Sequence, residues 1–407
     1  MPSTSTGCQL FFIRLDIKMQ IYLDNSATTK ICKEALDVYT RVSLESFGNP
    51  SSLHNIGQSA EEEIKRAREA VLASVGMRDG LVIFTSSGSE ANNLAITGRA
   101  MAKDRYKRGA KLITSSGEHA SVAEPMRHLE KYGFKIAEIS TRGGTFDLSE
   151  LEDELTADTV LVSVMMVNNE TGAVYDIPKI SKLVHSKCPD ALVHVDATQG
   201  YMKIPFTKSA IGADMITLSS HKIEGPKGVG ALVIDREVVK SRGLSPIIFG
   251  GGQEMGYRSG TENVPGIAAF GEAVRIGMRE QRARIAYVGE LREYLVDQIA
   301  VRDGLRELSP TLPAEHSPHI LNVTLPSIKS ETMLHFLSSR GIFVSSGSAC
   351  SSNTHHTSSA LIAYGRTEAE ADTSIRISLS HRNTKEELDV FLSELALGLS
   401  TLSRIRR

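Results

Sequence analysis

Short apolar runs alternate with stretches of helical periodicity along most of this chain, and that alternation restricts the fold more than any other feature. Strand candidates lie at residues 81–85, 111–114, 135–139, 160–167, 192–196, 215–218 and 230–234, and helical patterns at 61–75, 122–132 and 177–186 separate most of them. Strands joined through helices close most readily as parallel neighbours, with the helices covering both faces of one sheet. The expected class is therefore α/β with a mainly parallel sheet. In such sheets ligands bind beyond the carboxyl ends of the strands, so the polar residues found there carry the functional information.

Four segments place reactive residue types at such positions. The stretch Ser219-Ser220-His221-Lys222-Ile223-Glu224-Gly225-Pro226-Lys227-Gly228 puts a lysine after the apolar run 213–218, beside two hydroxyls and an imidazole. That is where a Schiff-base lysine would sit, although a solvated lysine is the ordinary alternative, and Lys227 in the following turn is a rival. Val193-His194-Val195-Asp196 runs from an apolar strand into an acid that suits a buried cation such as a protonated pyridine nitrogen; a helix cap is the competing role. Phe84-Thr85-Ser86-Ser87-Gly88-Ser89-Glu90 reads as a strand, a turn at Gly88-Ser89 and a helix over about 90–107. Free N–H groups at that helix start, with the Ser89 hydroxyl, make a phosphate site, or else a capping box with no ligand. Finally, Val344-Ser345-Ser346-Gly347-Ser348-Ala349-Cys350-Ser351-Ser352-Asn353 surrounds one thiol with small polar residues. A cysteine kept for packing usually has apolar neighbours, so Cys350 reads as reactive.

Together these segments resemble the cysteine desulfurases of the NifS/IscS type, pyridoxal-phosphate enzymes in the class V aminotransferase group. The resemblance also rests on Tyr22-Leu23-Asp24-Asn25-Ser26-Ala27-Thr28-Thr29, Gly48-Asn49-Pro50-Ser51-Ser52, Glu118-His119, Val167-Asn168-Asn169-Glu170-Thr171-Gly172, Ala197-Thr198-Gln199, Arg258-Ser259-Gly260-Thr261 and Ser374-Ile375-Arg376. It implies the fold type I architecture of pyridoxal-phosphate transferases: a large domain with a mainly parallel seven-stranded sheet, and a smaller C-terminal α+β domain. Residues 19–264 would form the large, cofactor-binding domain, with its first segment packing against the small one. Residues 265–407 would form the small domain carrying the cysteine loop, and residues 1–18 an extension or a misassigned start.

The resemblance also implies roles. Lys222 would carry pyridoxal 5'-phosphate and then move protons, His119 would stack on the pyridine ring and assist proton transfer, and Asp196 would pair with the ring nitrogen. Gln199 and Asn169 would lie near the phenolic oxygen. Gly88, Ser89, Ser219 and His221 would hold the phosphate, with Thr261 reaching over from a second subunit of a homodimer with shared sites. Arg376, helped by Asn169, would clamp the carboxylate of L-cysteine as a planar two-donor fork. Cys350 would take the sulfur as a persulfide and pass it to an acceptor or scaffold protein, foremost for iron–sulfur cluster assembly. The alternatives are tRNA thiolation or another thio-cofactor pathway, and selenocysteine lyase activity.

The chain departs from the common pattern at Ser87, where glycine is usual, at Glu224, and across Ser380-His381-Arg382-Asn383, where many members carry Gly-Arg-Phe-Thr. His355 and His356 follow Cys350 too closely, and with too few companions, to suggest a metal site. Beyond residue 265 the expectation is a long helix over 267–298, strands at 320–325 and 375–378, and helices at 330–339 and 385–403. At 407 residues the chain needs more than one core. A formal net charge of −2 with interspersed signs speaks against a nucleic-acid surface, and no apolar run reaches bilayer length. The cysteines Cys8, Cys32, Cys188 and Cys350 show no paired spacing, as expected in a reducing, cytoplasmic setting.

Overall fold

The computed structural model describes residues 20–102, 110–346 and 357–405. Its strands are β1 (Ile21–Tyr22), β2 (Leu81–Thr85), β3 (Lys111–Ser115), β4 (Lys135–Ile139), β5 (Thr159–Met165), β6 (Leu192–Asp196), β7 (Met215–Ser219), β8 (Gly230–Ile234), β9 (Ser309–Thr311), β10 (Ile320–Thr324), β11 (Ile342–Phe343), β12 (Ser345–Ser346) and β13 (Ser374–Ser378). Seven of them form one sheet in the order β2-β8-β7-β6-β5-β3-β4. All run parallel except β8, which is antiparallel to both of its neighbours. The mainly parallel sheet expected from the strand–helix alternation is present.

The central strands are apolar along their length because helices cover both faces. β5 and β7 are buried at every residue, whereas the edge strand β4 leaves Lys135 and Glu138 exposed. A second sheet, in the order β12-β13-β10-β9, is antiparallel. β1 pairs with β11, so Ile21 and Leu23 join the core of this second layer, among Val288, Leu291, Ile342 and Phe391.

One helix, Val264–Val301, belongs to both cores. Asn263 caps it by accepting from the Gly266 N–H at 3.1 Å, and Pro265 sits in its first turn, where no backbone donor is needed. Its first half buries Ile267, Phe270 and Val274 beneath the large sheet, and its second half buries Val288, Leu291 and Leu295 beneath the small one. Phe270 meets Phe84 of β2 edge to face, with ring centroids 6.4 Å apart. This helix therefore sets the spacing of the two sheets, and with it the distance between the residues each sheet delivers.

One local expectation changes. Gly88 and Ser89 are the first residues of the helix Gly88–Ala100 and not a turn, because Ser87 takes the extended N-cap conformation and its hydroxyl accepts from the Glu90 N–H. That helix ends at Ala100, and residues 103–109 lie outside the described set.

Candidate active site

The parallel strands all deliver their carboxyl ends to the same edge of the sheet, and a cavity of about 460 Å³ opens there. Gly88 and Ser89 reach it from the end of β2, His119 from β3, Asn169 from β5, Asp196 and Gln199 from β6, and Ser219, His221 and Lys222 from β7. Arg376 comes from β13 of the smaller sheet, together with Ser345 of β12. Thr261 lines a separate cavity of about 150 Å³ with Ser86, Gly228 and Arg258. Cys350, His355 and His356 lie outside the described residues.

The Gly88 end is built for an anion. The first backbone N–H groups of the helix Gly88–Ala100 have no intrahelical acceptor, and the dipole favours negative charge there. A Cβ on Gly88 would lie 3.2 Å from Thr198 Oγ1 and 3.3 Å from Ser219 Cβ, so glycine lets the helix start approach β7. The Ser219 and Ser26 hydroxyls are buried without a hydrogen-bond partner among the described residues, as expected of groups waiting for a ligand. His221 has Nδ1 3.1 Å from the Thr28 hydroxyl, and burial, then the nearby Lys222, pushes its pKa down to about 4. Ser87, where glycine is usual, needs no glycine, because its backbone is extended at φ −171° and any residue adopts that.

At the other end Lys222 sits on the single turn Ser220–Lys222 after β7, and its Nζ donates to the carbonyls of Ser26 at 2.5 Å and Ala27 at 2.9 Å. Asp196 accepts from Asn92 Nδ2 at 2.8 Å and from the Thr198 N–H at 2.9 Å. His119 caps the helix Ala120–Glu130 by accepting the Ser121 N–H on Nδ1 at 3.1 Å, and burial holds its pKa below the usual imidazole range. Gln199 donates to the Ser26 carbonyl and accepts from Lys203 Nζ at 3.2 Å. Burial, then Lys222, draws the Lys203 pKa down to about 7.

The Arg376 guanidinium is engaged within the chain. Nη2 donates to Asp24 Oδ1 at 2.9 Å and Nη1 to the Asn169 carbonyl at 3.0 Å, while Nε is buried without a hydrogen-bond partner among the described residues. Asp24 thus holds the place that an incoming carboxylate would compete for.

Residues 21–391 match the family model described as aminotransferase class-V. The chain belongs to the class V aminotransferase family. It is 38% identical over 391 residues to a protein named cysteine desulfurase IscS from Dictyoglomus turgidum, covering 96% of this chain and 97% of that one. Among solved structures, a NifS-like protein superposes with a TM-score of 0.85 at 36% identity, covering 94% of this chain and all of that one. A structure described as SspA in complex with cysteine superposes with a TM-score of 0.74 at 32% identity, covering 89% of this chain and all of that one. The resemblance to NifS/IscS-type proteins, and the fold it implied, are borne out.

In this class V aminotransferase two sequence departures turn out to be partners. Glu224, two residues after Lys222, accepts from Arg382 at 2.5 Å and from Arg284 at 3.0 Å, with His381 at 3.8 Å. The unusual acid and the unusual loop after Leu379 therefore form one ionic cluster between the lysine turn and the second layer. Asn92, Ser121 and Lys203 were not singled out from the sequence, and Asp24 was named in a motif but given no role. Asn92 carried a usable signal: it lies four residues after Gly88 on a helix, hence on the same face as the anion site.

Proposed function

We propose that this chain is a pyridoxal-phosphate-dependent cysteine desulfurase, converting L-cysteine to L-alanine and transferring the sulfur to Cys350. The observation that carries this reading is the convergence of Lys222, Asp196, His119 and the Gly88 helix start, from four different strand ends, in one cavity. Proteins named cysteine desulfurase among its relatives, and a related structure holding cysteine, support the substrate.

Lys222 Nζ is the amine that would bind the cofactor aldehyde, leaving its two carbonyl contacts to do so. Gly88, Ser89, Ser219 and His221 would hold the phosphate, and the unpartnered Ser219 hydroxyl and the absent Cβ at Gly88 fit a tetrahedral anion. Asp196 would face the ring nitrogen, His119 the ring plane, and Gln199 with Asn169 the phenolic oxygen. Once bound, the cofactor supplies an electron sink for the substrate's Cα and Cβ carbons. Arg376 orients the substrate carboxylate by exchanging Asp24 for it, and Lys222 returns protons to carbon. The Cys350 thiolate attacks the substrate sulfur, so an S–S bond forms as the substrate C–S bond breaks. The carbon fragment gains a proton and leaves as alanine, and the sulfur remains as a Cys350 persulfide.

We further propose that the enzyme works in the cytoplasm as a homodimer in which Thr261 serves the partner's phosphate site, and that an acceptor protein for iron–sulfur assembly receives the sulfur. No helix among the described residues is long and apolar enough to cross a membrane. The test is a pair of variants. Cys350→Ala should keep the visible absorbance of bound cofactor and lose sulfur release, whereas Lys222→Ala should lose that absorbance. Sulfide release by Cys350→Ala at the parent rate would refute the transfer.

A further inference from the structure

Behind the cavity wall one buried amide joins two residues that the proposed function places at the nitrogen edge and on the face of the cofactor ring. Asn92 is 1% exposed and does not line the cavity. Its Nδ2 has two hydrogens and two acceptors: Asp196 Oδ2 at 2.8 Å and Ser121 Oγ at 2.8 Å. Ser121 Oγ in turn lies 2.8 Å from His119 Nδ1, which also accepts the Ser121 N–H. Because Nδ1 accepts the backbone N–H, it carries no proton, so the imidazole hydrogen is on Nε2 and the Ser121 hydroxyl must donate to Nδ1. The chain of donors then has one direction, from Asn92 to Ser121 to His119. The Asn92 carbonyl oxygen is buried with no partner among the described residues. Turning the amide over would set that oxygen against the Asp196 carboxylate, so the nitrogen is the atom that meets the two acceptors.

We infer that Asn92 is a positioning residue for the reaction proposed above: through Ser121 it couples the Asp196 carboxylate to the His119 ring and keeps His119 neutral, with its proton on Nε2. Asn92 touches neither substrate nor the reacting atoms. The coupling is asymmetric by construction, because Ser121 links Asn92 to His119 only, while Asn92 donates both to Asp196 and to Ser121. The charged groups acting on His119 are Asp196 of β6, Lys222 after β7 and Arg376 of β13. Of these only Asp196 shares the Asn92 donor.

The inference rests on the proposed function for its purpose but is tested apart from it, by imidazole ¹⁵N NMR on protein before cofactor is added. His119 is assigned against a His119→Gln control. In Ser121→Ala, loss of the hydroxyl donor should raise the His119 pKa above that of the parent, whereas Ser121→Thr should retain the parent value. In Asn92→Leu the Ser121 hydroxyl keeps its place but loses the donor that orients it toward Nδ1, and the pKa should rise in the same direction. After loading with pyridoxal phosphate, Asn92→Leu should shift the pH midpoint of the bound chromophore and lower kcat on the order of tenfold, while Ser121→Ala leaves that midpoint in place. Should Asn92→Leu fail to accumulate folded, Ser121→Ala and Ser121→Thr still decide the His119 branch. An unchanged His119 titration in Ser121→Ala would overturn the inference even if the cofactor binds normally. Failure to bind cofactor, with the His119 pattern intact, would instead refute the proposed function and leave the network standing.

Discussion

A Cβ on Gly88 would crowd Thr198 and Ser219 at 3.2 and 3.3 Å, so its neighbours would have to give by a few tenths of an ångström. Gly88→Ala should therefore open the helix start away from β7 and weaken cofactor binding by about tenfold, read as Kd by absorbance titration; an unchanged Kd would show that no anion sits there. Glu118, next to His119, has its pKa raised to about 8 by burial, against the opposing hydrogen bonds from Ser115 and the Met165 N–H. Unfolded, the same carboxyl ionises near about pH 4.3. Between these values the folded protein keeps a proton that the unfolded chain has released, so the stability from this group is full below about pH 4.3 and is lost as pH rises through about 8. Glu118→Gln removes that titration and keeps an acceptor oxygen. Its Tm should gain on the parent as pH rises from 5 to 8, and parallel Tm curves would contradict the assignment. Lys222 and Asp196 could be read from the sequence because each puts a charge at the end of an apolar run, and His119 through the Glu118-His119 motif of the family resemblance. Asp24 could not, since its partner Arg376 is 352 residues away, and neither could the tie between Asn92 and Asp196, which spans 104. The first pair exists only once the two sheets have been brought together, and the second only once the helix after β2 has packed on β6.

At the scale of elements, the turn after β7 is held from outside by Glu224. Its backbone is left-handed at φ 65°, its N–H donates to the Thr29 hydroxyl, and its carbonyl accepts from the Cys32 N–H. Its carboxylate is buried and receives Arg284 from the long helix and Arg382 from the loop after β13. Removing the acid leaves the largely enclosed guanidinium of Arg284 with Glu280 as its remaining acidic partner and its Nη1 donor unmet, while Arg382 is partly exposed and can turn to water. Glu224→Ala should cost about 2 kcal/mol in urea unfolding, and a double-mutant cycle with Arg382→Ala should return a coupling of about 1 kcal/mol. Zero coupling would mean that the two departures from the family pattern are independent. The elements themselves were legible where periodicity was strong: β2, β4, β6 and β8 fall at the expected bounds, and the long helix extends a few residues past its expected ends. The start of the helix at Gly88 was misread as a turn, because the cap that extends it, Ser87, occupies a position that usually carries glycine.

For the whole molecule, several large apolar side chains near the start of the chain stay on the surface: Leu44, Phe47 and Leu53, the last 95% exposed, and Phe249 at 80% in the glycine-rich segment before Thr261. Exposed apolar groups of this size are candidates for a surface that another chain meets. With a second copy as that surface, Thr261 can serve a site other than the one in its own chain. Mixing Lys222→Ala and Thr261→Ala protomers decides this. If Thr261 acts across the interface, the mixed dimer holds one intact site and regains activity that neither parent variant has. If it acts within its own chain, the mixture stays as inactive as its components. The central claim, that a lysine-bound cofactor frees the sulfur of cysteine for one thiol, is tested most directly by incubating the purified protein with L-cysteine without reductant, then mapping its peptides by mass spectrometry. The account predicts one added sulfur on the peptide containing Cys350, with alanine formed in equal amount. Alanine formed with the added sulfur on a different cysteine, or no alanine from protein loaded with cofactor, would contradict it.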